Sequence, residues 1–195
     1  MPIAMNFQAA KEYILNRLSV ELPKDLYYHG VHHTLDVCQS VDEIASGENI
    51  IDDDLVLLRT AAIYHDIGFV EAYQNNEAIA VTIAQHTLPS FDYSPEQIYI
   101  IANIILSTGV PQTPDTLLEK IMCDADLDYL GREDFFEIAT TLKNEWLAFH
   151  IIDSEAEWDK RQLTFLEHHQ YFTSTSRKKR DAQKKIHLAE IKQRL

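Results

Sequence analysis

The sequence predicts an all-α fold, a bundle of about seven to nine helices, on three observations. Glycine and proline, the residues that most often interrupt helices, number only five and six in 195 residues. Apolar residues recur at spacings of three and four, the period of one helix face. No stretch alternates polar and apolar with the period of two that a half-buried strand needs.

The elements follow in order. A first helix runs from about Asn6, a capping residue, to Leu18, with Phe7, Ala10, Ile14 and Leu18 on one stripe. A second covers about Val31 to Ala45 and ends near Gly47. Asp52, Asp53 and Asp54 open a third, where negative charge complements the helix dipole; it runs to His65 and is closed by Gly68. A fourth, about Asn76 to Leu88, breaks at Pro89. Ser94 and Pro95, a cap followed by proline at the first helical position, start a fifth that ends near Gly109. After a turn held by Pro111 and Pro114, a short helix covers Leu117 to Met122. Two longer helices follow, about Arg132 to Phe149 and Ser154 to Phe172, and then a basic tail. The division expected is a domain over residues 1–172 and a helical tail over 173–195.

Charge narrows the partners. The tail carries eight Lys and Arg against Asp181 and Glu190, so its net charge is +6; the chain as a whole carries −14, which leaves −20 on the other 172 residues. A body that acidic repels the backbone of long nucleic acids. A small phosphorylated substrate stays compatible with it, since a metal ion can offset the substrate's charge. The tail reads as a solvated helix lying against the acidic body, with a nucleic-acid or membrane contact as the alternative. Cys38 and Cys123 form no C-x-x-C pair and no disulfide framework, which fits a reducing, cytoplasmic setting. No apolar run approaches the roughly 20 residues of a membrane span. The opening MPIAMNFQAAKEY lacks the charged and apolar regions of a signal peptide. A soluble intracellular protein is expected, with a homo-oligomer left open.

The chemistry concentrates in four residues. In "TAAIYHDIGFVEAY" an apolar helix ends on His65 and Asp66, two titratable groups that are costly to bury without a partner. His33 lies in the first turns of the second helix, and Asp126 follows the apolar turn Leu118–Cys123. Imidazole nitrogens and carboxylate oxygens together suit Zn²⁺, Mn²⁺ or Fe²⁺, with Mg²⁺ also compatible. Four protein ligands from three helices leave positions open for water and substrate, as catalysis requires. A metal supplies the charge that makes a buried His-Asp pair tolerable.

This ordered set resembles the HD superfamily of metal-dependent phosphohydrolases: His33 in "HHTLDV", His65-Asp66 in "YHDIG", and Asp126 in "DADLDYLG". The resemblance covers roughly residues 27–150 and implies an HD-like helical bundle holding one divalent ion. The segment "YHGVHHTLDVCQS" is also similar to the first metal-site segment of the cyclic-nucleotide phosphodiesterases. In that branch a histidine four residues ahead of the metal-binding one acts as general acid, which implies that role for His29. On a continuous helix His29 and His33 share a face; the other reading of His29 is an exposed or capping residue near Gly30.

The sequence also departs from that branch. "IGFVEAYQNNE" follows the doublet in place of a further His and Gly, the neighbours of His86 do not match, and "ILSTG" stands where another histidine belongs. One metal is therefore favoured over two. Glu71 and Glu77 are candidates to orient or deprotonate the attacking water, with Glu77 in "NNEA" preferred; either can instead cap the next helix. Asp124 and Asp128 read as partners orienting ligands or as caps near Gly131. Arg132 is a phosphate candidate at a helix start or else a surface ion pair. Tyr27, Tyr28, Tyr64, Phe69 and Tyr73 could line a base pocket or the core.

Together these imply a hydrolase that cleaves a phosphomonoester or phosphodiester of a nucleotide or similar small metabolite. The alternative is a non-catalytic nucleotide- or metal-sensing HD protein that keeps the ligand set.

Overall fold

The computed structural model describes residues 5–194. Residues 1–4 of the opening segment and Leu195 of the basic tail lie outside them. Among the described residues the chain forms nine α-helices and no strand. They are α1 (Phe7–Glu21), α2 (Val31–Gly47), α3 (Asp52–Tyr64), α4 (Asn76–Thr87), α5 (Pro95–Leu106), α6 (Leu117–Asp126), α7 (Phe135–Ala148), α8 (Glu155–His168) and α9 (Ser174–Arg194). No helix among them is long and apolar enough to cross a membrane.

Local chemistry sets most boundaries. The Asn6 side chain accepts the Ala9 N–H at 3.2 Å to start α1, whose Ala10, Ile14 and Leu18 are buried. Ser94 and Gln97 cap each other reciprocally at the start of α5, with Pro95 at the first helical position. Thr116 and Glu119 do the same for α6. Gly68 answers to a close approach: a Cβ there would stand 1.9 Å from the Asn76 carbonyl oxygen, so only glycine lets the first turn of α4 cross the doublet's loop.

Two apolar clusters form the core. One joins α1 to α6 around Ile14, Leu58, Ile63 and Ile101; the other joins α7, α8 and α9 around Tyr129, Phe135, Trp158 and Tyr171. Ala125 belongs to the first and Leu127 to the second, so Asp126 sits where the two meet.

The eighth helix stops at His168, short of the expected Phe172, for reasons that are tertiary. Lys184 Nζ on α9 donates to the His169 carbonyl (2.5 Å) and to His169 Nδ1 (3.1 Å). The buried Asp124 carboxylate then accepts the Phe172 and Thr173 N–H groups (both 2.8 Å) and the Thr173 hydroxyl (2.6 Å). These bonds turn the chain and start α9 at Ser174. Basic side chains of α9 meet acids of the body: Lys179 pairs with Glu43, Lys192 with Glu167 (2.7 Å) and Arg180 with Asp128 (2.6 Å). The helix also buries Ser176, Lys184, His187 and Ile191. Tyr171 donates to the carbonyls of Leu127 (3.2 Å) and Asp128 (3.3 Å).

Candidate metal centre

Three helices bring the four expected ligands together. His33 is the third residue of α2, and α3 ends at Tyr64, which puts His65 at its cap and Asp66 just beyond. Asp126 is the last residue of α6, a turn later than the sequence pattern placed that helix's end. His33 Nε2 lies 3.1 Å from Asp126 Oδ1, 3.4 Å from His65 Nε2 and 3.4 Å from Asp66 Oδ2. His65 Nε2 lies 3.0 Å from Asp66 Oδ2 and 3.6 Å from Asp126 Oδ1.

His33, His65 and Asp66 offer ligand atoms all close enough to share one divalent ion, and Asp126 Oδ1 stands beside both histidines. Two donors each about 2.1 Å from one ion lie about 3.0 Å apart at a right angle and about 3.4 Å apart at the tetrahedral angle. His65 Nδ1 donates to the Ala62 carbonyl at 2.7 Å, which leaves the Nε2 lone pair for a cation. Asp66 Oδ2 is buried without a hydrogen-bond partner, although it lies among these nitrogens. Burial alone would lower the His65 imidazole; Asp66 and Asp126 outweigh it and raise its pKa well above the usual value. Burial would raise both acids, and the facing histidines hold them below the carboxylate range. A divalent cation would supply the charge that the histidines now provide.

His29 is not on α2, because Gly30 is the extended N-cap residue of that helix. The structure still brings it to the cluster, with its ring centroid 5.9 Å from that of His33 and 4.2 Å from the Phe69 ring stacked on it. What positions it is Glu145 of α7. One carboxylate oxygen accepts the Tyr28 N–H (2.8 Å) and the His29 N–H (3.0 Å). The other meets His29 Nδ1 and accepts the Tyr73 hydroxyl (2.9 Å). Burial pulls the His29 pKa down, and the Glu145 hydrogen bond together with the charges of Asp66, Glu145 and Asp126 more than reverses it, so the net shift is upward.

Sequence reasoning did not find Glu145. Its one signal is an acid on the stripe Ile138, Leu142, Glu145, Phe149, where every other residue is apolar. The acid is fully buried, which a carboxylate seldom is unless it is paired as this one is.

A cavity of about 550 Å³ opens on the cluster, with His29, Asp66, Glu77 and Asp126 in its wall. Glu77 stands in the first turn of α4; Glu71 is exposed and is not part of the wall. The expected phosphate candidate Arg132 is committed elsewhere, gripping Asp36 with one guanidinium nitrogen (2.8 and 2.7 Å) and Asp134 with another (2.6 Å). Lys160 and Arg161 of α8 line the cavity instead, and their distance in sequence from every motif hid them. Asp124 and Asp128 hold the α9 segment rather than any ligand. Of the aromatic residues, Tyr28 and Phe69 line the cavity, Tyr64 is core, Tyr27 is exposed, and Tyr73 serves Glu145. His86 is exposed on α4 and bonded to the Thr82 carbonyl.

A sequence model of the HD domain matches residues 30–128, half of the chain, and includes all four clustered residues. The chain belongs to the HD domain family. The expected all-α HD fold is what the structure has. His29 and Glu145 fall outside the matched residues of the HD domain. Among solved structures the chain is similar to a predicted HD superfamily hydrolase from an uncultured Thermotogales bacterium. That likeness has a TM-score of 0.65 at 20% identity and covers 93% of this chain and 89% of that one, which establishes a shared fold. No curated protein matches it.

Proposed function

We propose that this HD domain protein is a metal-dependent phosphohydrolase acting on a phosphomonoester or phosphodiester of a small metabolite, such as a nucleotide. The observation that carries the reading is the buried, unpartnered Asp66 Oδ2, set among His33, His65 and Asp126 at the end of a cavity.

His33, His65, Asp66 and Asp126 would hold one divalent ion, Zn²⁺, Mn²⁺ or Fe²⁺ by donor type. When bound, that ion makes water acidic enough to ionise near neutral pH and offsets charge on the phosphoryl oxygens. His29 supplies the general acid. Glu145 holds Nδ1, fixes the ring against Phe69 and favours the protonated form, so the remaining ring nitrogen has a proton for the leaving oxygen. Glu77 sits on the cavity wall as the carboxylate that orients the attacking water and takes its proton. The apolar surround keeps bulk water from competing with these contacts.

The test is elemental analysis of protein purified without chelator or metal-affinity resin, followed by a phosphoester screen with the metal found. One equivalent of metal, lost in His65→Ala, with turnover abolished in Asp66→Asn, is expected. No metal after incubation with excess Mn²⁺, Fe²⁺ and Zn²⁺ refutes the reading. Metal with tight nucleotide binding and no turnover would replace it with a sensor.

A further inference from the structure

The cavity does not end at the ligands. Its wall continues onto α7 and α8, where Leu142, Trp146, Trp158, Phe165 and Leu166 line it. At about 30 Å³ per water, its 550 Å³ equals the volume of roughly 18 waters, far more than a phosphoryl group fills. That size lies within the range of small-molecule sites, about 300–1,000 Å³. Trp146 and Trp158 meet edge to face with centroids 5.3 Å apart, and Phe69 carries aromatic surface to His29 at the other end. A phosphorylated ligand small enough to sit at the ligands alone would leave this wall wet, at a cost proportional to its apolar area.

We propose that the organic group of the substrate is a flat aromatic system, taken into the cavity against Trp146 and Trp158. Its phosphoryl group would then meet His33, His65, Asp66 and Asp126; the assignment rests on the hydrolase reading. Aromatic rings stack through their faces, and every nucleobase or aryl group has one. The apolar part of the wall therefore selects by π-face and apolar area. Nucleotides and simple aryl phosphates are both accepted, and sugar or glycerol phosphates are poor.

The chain contains only two tryptophans and both line the cavity, so its intrinsic emission reports occupancy directly. The metal-loaded protein is titrated with benzylphosphonate, hexylphosphonate and methylphosphonate, none of which can be hydrolysed at its P–C bond in this way. Benzylphosphonate is expected to bind at least about tenfold tighter than methylphosphonate, and tighter than the hexyl compound, with a change in emission. In Trp146→Leu, checked for its fold by circular dichroism, the benzyl-to-methyl ratio falls toward one. Equal affinities for benzyl and methyl probes overturn the proposal, and so does a hexyl probe that binds as well as the benzyl one. Hydrolysis of any phosphate ester in the same preparation would leave the hydrolase reading standing in those cases. Aromatic preference without turnover of phenyl phosphate or any nucleotide would instead remove that reading and keep the cavity assignment.

Discussion

Replacing Glu145 separates what holds the chain together from what positions His29. Its carboxylate is fully buried and accepts two backbone N–H groups, from Tyr28 at 2.8 Å and His29 at 3.0 Å. Glu145→Ala strands both donors, and a buried donor left unpaired costs about 1–3 kcal/mol. Tyr73 is half-buried and can turn to water, so it adds little. The expected loss is about 2–6 kcal/mol, a large fraction of an ordinary domain's 5–15 kcal/mol. With a urea m-value of about 2 kcal/mol/M, the unfolding midpoint drops by about 1–3 M. Glu145→Gln keeps one carbonyl oxygen for the two N–H groups, loses the negative charge and puts an NH2 donor where His29 Nδ1 and the Tyr73 hydroxyl now meet an acceptor. It should fall by at most about 2 kcal/mol while removing one of the groups that raise the His29 pKa, the one hydrogen-bonded to its ring. In the proposed mechanism the protonated imidazole is the active form, so the alkaline limb of the pH–rate profile then moves to lower pH. Metal-free urea titrations followed by circular dichroism provide the stability values. An Ala variant within about 0.5 kcal/mol of wild type would refute the accounting of those two donors.

Other outcomes follow from the same geometry. Metal at a hundredfold excess over its Kd stabilises by about 2.7 kcal/mol, which for a chain of this size raises Tm by about 5–11 °C in a thermal melt; Asp126→Ala should abolish the shift. Burial and the neighbouring Lys184 lower the His169 pKa to about 3, so the folded protein keeps it neutral while an unfolded chain protonates it near 6.5. That stability is fully present above about pH 6.5 and lost as pH falls toward 3, and urea midpoints for His169→Gln should decline less steeply over that window. Gly68→Ala places a Cβ 1.9 Å from the Asn76 carbonyl and must push the start of α4 away, at a cost of about 1–3 kcal/mol or more; bound metal, measured alongside the melt, should also decrease.

Caps and apolar spacing made the first six helices readable from sequence, because Asn6, Ser94 and the Asp52–Asp54 run act locally. The clustering residues were readable for a different reason: a His-Asp doublet at the end of an apolar helix needs an explanation wherever it occurs. The break between α8 and α9 was not readable, since it contains no glycine or proline and is made by Lys184 and Asp124 acting across the fold. Gly30 likewise moved His29 off the helix that the i, i+4 spacing suggested. Lys160 and Arg161 reach the cavity, and Glu145 reaches His29, only through packing of α7 and α8, and no local pattern encodes that packing.

Asp126 lies between residues that the last quarter of the chain holds from outside: Asp124 through the backbone of 172 and 173, Leu127 and Asp128 through Tyr171, and Asp128 again through Arg180. The family match stops at residue 128, so a segment beyond the matched residues braces one of the four clustered side chains. A protease nicking the chain near residue 170 would free that brace while the core of α1 to α6 stayed packed. An ion held there as proposed would leave before the fold did, and its binding would in turn shield the nick site.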